Sequence, residues 1–348
     1  MKLLYFEIRK LFAGGRLPVF WALCATLGVV FCLFSKPTFL QYDFDVGIFR
    51  KYVEQFGDKY SEQTVAVMEQ ELQSLNATLA LPYDGPPGDP AAEQQFRDRQ
   101  YLTTARLTAL SEVFTRYPER GSERELVYDL EFTQYESEFL RVLMTVLCCC
   151  SLVAVAVPLA LSDLRCNMEP LLFTASYGRL RVARSKGLLG FFLGAFVTAL
   201  FAAEDILLAM PHYNFGNMTA SLFSYAGHFG YAADMSLRHV IGLSVLSRIL
   251  AGGMFTLLLM IVLRLFRNDI AGLSVFTVFI VTSELLARST PRLCAWSLWR
   301  QLQGTAWFTF FMPVWIVLLL QCTLITTVFL LLPFSERIKR IFRKKPAG

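Results

Sequence analysis

Four charged residues stand inside long apolar stretches and are the first candidates for chemistry: Glu204, Asp205, Arg248 and Glu284. A charge in hydrocarbon is costly, so it is retained where it pairs or serves a function. Glu204 and Asp205 fall about 17 residues into one apolar stretch and Arg248 about 8 into the next; at about 1.5 Å per residue these depths, with Glu284 in a third stretch, define one layer. Two readings follow. Arg248 pairs with Glu204, Asp205 or Glu284, or each side chain snorkels to the nearest headgroups. The layer holds no nucleophile beside a base. His228, Asp234 and His239 are spaced by six and five residues, which fits no zinc pattern, and no metal is expected. The chain has no G-x-x-x-x-G-K-[ST], no H-E-x-x-H and no G-x-S-x-G, so it cannot cradle ATP phosphates in a P-loop of its own. No catalytic residue is nominated.

The elements that must position these groups follow from hydropathy. The 348 residues are 55% hydrophobic and only 18% charged, against about a quarter charged in a soluble domain. Apolar runs at 17–35, 139–161, 187–209, 240–263, 270–287 and 307–333 each approach the length of about 20 residues that crosses a bilayer. The fold class predicted is an all-α integral membrane protein with about six transmembrane helices. Before the first run, residues 1–16 place Leu4, Ile8, Leu11 and Phe12 on one helical face, an amphipathic segment for the membrane surface. Residues 36–138 are polar, and helix-like patterns cover 48–80 and 91–117 on either side of the breaker LPYDGPPGDP. A third stretch starts at Ser122 with Glu125 three residues on, a capping box. Segment 210–239 is aromatic and weakly charged, and a loop, an interfacial or a re-entrant path all remain open for it.

Lys and Arg in short loops set orientation. With six spans, residues 1–16, 162–186, 264–269 and the tail 334–348 share one side, and they hold 17 basic against 5 acidic residues. The 36–138 region holds 19 acidic and 10 basic residues and no cysteine, so a disulfide framework is excluded there. All eight cysteines lie elsewhere, and the Cys148–Cys150 run sits in an apolar stretch where packing is the expected role. Both termini are expected to be cytoplasmic, with 36–138 extracytoplasmic. A net charge of +5, gathered in these loops, gives no reason to expect a nucleic-acid partner.

The 162–186 loop, SDLRCNMEPLLFTASYGRLRVARSK, joins an apolar Leu171, Leu172, Phe173 triplet to a basic run. It is either a plain positive loop or a short helix offered to a partner by those anchors. Here the chain resembles the permease subunit of a bacterial type-2 ABC transporter. The resemblance rests on the amphipathic MKLLYFEIRKLF, the large domain between the first two spans, and a loop of acidic residue, apolar pair, small residues, Gly-Arg and lysine. In this sequence the loop pattern is Glu169, Leu171-Leu172, Thr174 to Tyr177, Gly178-Arg179 and Lys186. Either Asp163 or Glu169 answers to the family's loop glutamate, and Pro170 interrupts the helix there. The resemblance covers essentially the whole chain through individually loose motifs. It implies a separate cytoplasmic ATPase subunit that binds Mg-ATP, a second permease subunit, identical or related, and a pathway through the bacterial plasma membrane, usually for export. No cofactor is implied in this chain itself. Two other classes stay open: a sensor or assembly scaffold that uses the acidic domain, and a membrane enzyme working through the charged layer.

Overall fold

The computed structural model describes residues 16–34, 45–56, 61–85, 90–119, 139–165, 178–209, 235–289, 297–304 and 321–325, with isolated positions at 5, 8–9, 11–12, 219 and 327. Every regular element among them is helical. They are α1 (Arg16–Phe34), α2 (Val46–Phe56), α3 (Glu62–Leu79), α4 (Pro90–Glu119), α5 (Phe139–Arg165), α6 (Gly178–Glu204), a π-helical turn (Asp205–Ala209), α7 (Leu237–Phe266), α8 (Asp269–Ser289) and α9 (Leu298–Gln303). Four stretches are long and apolar enough to cross a membrane: Arg141–Asp163, Val182–Leu208, Leu237–Phe266 and Asp269–Ser289. This is the pattern of an all-α membrane protein. Leu17–Leu33 is apolar but shorter, and the expected run 307–333 lies largely outside the described residues.

The apolar helices form one bundle around α7. α7 packs against α5, α6, α8 and α9, and α1 packs against α5, α6 and the π turn. The shared core includes Met144, Leu152 and Leu159 of α5, Val197 and Phe201 of α6, and Phe255, Leu259 and Leu263 of α7. In contrast α8 leaves Val278, Phe279, Val281 and Leu285 exposed, and α6 leaves Phe192, Phe196 and Leu200 exposed. Apolar surface on this scale needs a covering, and lipid supplies it. Near the N-terminus Tyr5, Ile8, Arg9, Leu11 and Phe12 are helical. Ile8 and Leu11 pack on the bundle core, and Phe12 meets Trp21 edge-on with ring centroids 5.7 Å apart. Pro158 sits inside α5, as proline can where neighbouring helices support a span.

Between α7 and α8 only two residues intervene. Arg267 takes a left-handed φ of 58° and donates its N–H to the Leu263 carbonyl. Asn268 then accepts from the Ile270 N–H at 2.9 Å through its side chain, so one helix is closed and the next opened within a single turn.

The polar region folds on its own core. Phe49, Tyr52, Val53 and Phe56 recur at helical spacing on α2 and meet Met68 and Leu75 of α3 and Ala109, Leu110 and Val113 of α4. The single helix expected over 48–80 is instead two. α2 ends at Phe56, and α3 starts afresh behind Ser61, whose hydroxyl accepts from the Thr64 N–H at 3.0 Å. The breaker at 81–90 separates α3 from α4 as expected. The stretch from Ser122 and most of segment 210–239 lie outside the described residues.

Candidate functional site

Two buried ion pairs mark opposite ends of the bundle. The first stands where α5 ends and α6 begins. The expected loop 162–186 is narrower than its sequence suggests, because α5 continues to Arg165 and α6 already starts at Gly178. Lys186, on the third turn of α6, has none of its surface exposed. Its Nζ donates to Asp163 Oδ1 at 2.6 Å and to Ser162 Oγ at 2.8 Å, both in the last turns of α5. An ammonium removed from water is tolerated only with such partners. The result is a clamp that ties the two helices together at the base of their connection. Asp163 is thereby committed to Lys186. Glu169, Leu171, Leu172 and Phe173 lie outside the described residues, as does the side chain of Arg179.

The second pair belongs to the charged layer. Arg248, on the buried face of α7, donates from Nη1 to Asp205 Oδ2 at 2.8 Å and from Nε to the Leu302 carbonyl at 3.0 Å. The two side chains are 7% and 3% exposed, so Arg248 does not snorkel outward. Asp205 opens the π-helical turn that continues α6, and such turns recur at functional positions because they shift side chains out of helical register. Of the three partners considered for Arg248, the structure brings it to Asp205 alone.

Glu284 has a different neighbourhood. Both its carboxylate oxygens accept from Arg300 Nε at 3.2 Å, Oε1 accepts from Arg288 at 3.1 Å, and Oε2 accepts from Ser297 Oγ at 2.9 Å. Arg300 and Ser297 belong to α9, which the sequence reading did not anticipate. The six-residue α9 links the Glu284 cluster to the Arg248–Asp205 pair, with its cap Ser297 on Glu284 and its last carbonyls on α7. Gly304 closes it at φ 79°. A Cβ there would stand 2.9 Å from Arg248 Cδ, and the Gly304 carbonyl accepts from Ser244 Oγ, so both backbone conformation and space require glycine.

Glu204 completes the layer but joins neither pair. Its Oε2 is sealed from solvent and has no hydrogen-bond partner among the described residues. It lies against Gly28 of α1, where any Cβ would collide with that oxygen.

Between the two ion pairs α6 and α7 approach closely. A Cβ on Gly194 would meet the Gly252 carbonyl at 2.7 Å and the Thr256 hydroxyl, and one on Gly252 would meet the Thr198 hydroxyl. Gly190 and Gly253 are filled in the same manner by Met260 and Phe191. Thr198 and Thr256 return their hydroxyls to the carbonyls of Gly194 and Gly252, four residues back, so the seam holds no unsatisfied hydroxyl. Gly252-Gly253 is therefore a packing surface. On the other side of the bundle an apolar cavity of about 520 Å³ opens between α1, α5, α7 and α8, lined by Phe20, Val146, Val153, Phe276 and Ile280 among others. Such a lining offers dispersion contact and little directional hydrogen bonding.

In the polar region one node joins all three helices. Tyr52 Oη donates to Glu71 Oε1 at 2.9 Å and accepts from Arg106 Nε at 3.2 Å. Burial, and then the Glu71 carboxylate, push the Tyr52 phenol above its usual range against the opposing pull of Arg106. Among the described residues no group of three or more His, Cys, Asp or Glu could hold a metal ion. No family model, characterised protein or solved structure matches the chain.

Proposed function

We propose that this chain is the permease subunit of an ATP-driven ABC transporter of the bacterial type-2 kind, working as an exporter in the plasma membrane. In this reading α1, α5, α6, α7, α8 and the apolar run 307–333 are six spans. Residues 1–16 form the cytoplasmic elbow, α2 to α4 an extracytoplasmic domain, and both termini are cytoplasmic. The Lys186–Asp163 clamp is the observation that carries the reading. A loop that only connects two helices has no need of a fully buried ammonium at its base. A loop that must transmit force does, because the clamp makes α5 and α6 answer together to a push on residues 166–177.

The path of that push follows from the packing. α6 is joined to α7 along the glycine seam, and α7 carries Arg248, whose bond to Asp205 ties it to the far end of α6. Displacement at the clamp therefore moves α6 and α7 as one unit instead of bending either. A separate subunit would bind and hydrolyse Mg-ATP, seated beneath the loop with Leu171, Leu172 and Phe173 as apolar anchors. A second permease subunit would complete the pathway, and the apolar cavity supplies a lining for a hydrocarbon-rich cargo or lipid.

Affinity purification of the tagged chain from native membranes in mild detergent tests the proposal. A stoichiometric P-loop ATPase is expected, and it is lost when Leu171, Leu172 and Phe173 are changed to Ser. Absence of any ATPase across several mild detergents, with the bundle intact by thermal melting, overturns it.

A further inference from the structure

The apolar cavity has an open side and a charged end, and together they describe what fills it. Val146 and Cys150 of α5 and Thr277 of α8 belong to its lining and are exposed, so the hollow opens on the flank of the bundle. Of the four long apolar helices α8 is the least buried, and that flank looks into hydrocarbon. Along α8 the wall runs through Leu273 and Ile280. Glu284 and Arg288 continue the same helical face beyond Ile280 at steps of four residues. Trp299 of α9 also lines the cavity, and its neighbour Arg300 holds Glu284, so the apolar wall leads directly into the charged cluster. The rise from Leu273 to Arg288 is about 22 Å, enough for one leaflet of a hydrocarbon core about 30 Å thick and the headgroup level above it. Glu284 divides its oxygens among Arg300, Ser297 and Arg288. Arg288 gives Nε to that shared carboxylate, meets no other acceptor among the described residues, and has a side chain 70% exposed. A guanidinium in this state, at the end of a span, presents its outer N–H groups at headgroup level, where phosphate oxygens suit them.

We propose that this groove is a binding site for one anionic phospholipid taken from the bilayer, with an acyl chain in the cavity and its phosphate on Arg288. The volume of about 520 Å³ lies within the range of about 300–1,000 Å³ common to sites for small organic molecules. Each half of the site excludes a different rival. A soluble anion satisfies Arg288 but leaves the hollow empty, and an uncharged hydrocarbon fills the hollow but leaves the guanidinium unanswered. The wall itself accepts any alkyl chain, because dispersion carries no direction. Selection therefore falls to Arg288. A zwitterionic headgroup brings its own cation beside the phosphate, which opposes Arg288, whereas an anionic headgroup does not. The site deepens the reading of the cavity given above, and it stands whether or not an ATPase docks on the loop.

Photolabelling of the full chain in lipid nanodiscs tests this. The probe is phosphatidylglycerol with a diazirine in one acyl chain, present as a minor component of phosphatidylcholine. Phosphatidylcholine with the same labelled chain is the control. Peptide mass spectrometry compares label on the cavity peptides, around Val153 and Ile280, with label on α6 around Phe192 and Phe196, which are exposed on another helix. The phosphatidylglycerol probe should favour the cavity severalfold, and the phosphatidylcholine probe should favour it much less. Arg288→Gln should bring the first probe down to the level of the second without changing the label on α6, and Arg288→Lys should keep most of the preference. Because Arg288 is exposed and its ion pair lies at the surface, neither variant should lower the melting temperature appreciably. Ala154→Phe, which fills the cavity, should remove the excess for both probes. Equal label on cavity and α6 overturns the site. An equal excess for both probes, or an excess that survives Arg288→Gln, overturns the assignment of the headgroup. Absence of label from the cavity overturns the proposal as well, and identifies a second copy of the chain as the cover if the nanodiscs then hold two.

Discussion

The apolar bundle and the three-helix polar unit solve the same problem, holding helices together, with opposite materials. In the polar unit large side chains do it: Phe49, Tyr52, Phe56, Met68 and Leu110 interlock, and the Tyr52, Glu71 and Arg106 node sits at the edge, with Arg106 53% exposed. In the bundle the closest contact is made by the absence of side chains, at Gly190, Gly194, Gly252 and Gly253, and the charges are hidden. The difference lies in the solvent. Water drives apolar side chains together, whereas lipid is as apolar as leucine, so helices in it gain mainly from backbone approach and from polar groups with no better partner. Charge at the margin of the polar unit is nearly incidental, while charge in the bundle governs how the helices are arranged.

The sharpest break of that contrast is Asp163→Asn. It leaves the ammonium of Lys186 buried without its counter-ion, and a loss of about 3–5 kcal/mol is expected, seen as a fall in melting temperature by fluorescence-detected size exclusion. Adding Lys186→Met to that variant should recover most of the loss, since removing both charges removes the cause. If the double variant melts no higher than the single one, the clamp is not an electrostatic device. Next in size is Gly252→Val, which forces apart a seam that has no room for a Cβ; overpacking of about 1–3 kcal/mol is expected, with a matching loss of α6 to α7 disulfide trapping between engineered cysteines. The smallest effect belongs to the polar unit. The raised phenol of Tyr52 means that the folded state holds this proton more tightly than the unfolded chain does. Its contribution is therefore complete below the ordinary phenol value of 10.0 and is lost as pH rises through the raised one. Hydrogen exchange in α2 to α4 should accelerate in that alkaline window in wild type, and Tyr52→Phe should abolish the pH dependence while costing about 0.5–1.5 kcal/mol at neutral pH.

Hydropathy located four of the six expected spans as long apolar helices, because a run of about 20 uncharged residues is a property of one segment. The depth argument also collected Glu204, Asp205, Arg248 and Glu284 into a layer. It could not choose among partners, because the choice between Asp205 and Glu204 turns on the π turn, which rotates adjacent side chains apart and leaves no mark in composition. The Lys186 to Asp163 bond spans 23 residues, and nothing local announces it. Two misses did have signals. Gly57 followed by Ser61 and Thr64 is a stop and a new cap inside what passed for one helix. Ser297 and Gly304 likewise bracket α9 with a start and a stop, overlooked because six residues are too few for periodicity to register.

The two-residue turn at Arg267 and Asn268 has a consequence for how the protein is made. With α7 and α8 joined so tightly, neither can be threaded into the bilayer ahead of the other with its partner left waiting in water. A turn this short favours entry as a preformed hairpin. The most buried helix of the bundle, α7, therefore arrives already escorted on one face by the most lipid-exposed one, α8. Assembly then has to add α5 and α6 only to the other face, with the glycine seam waiting to receive them.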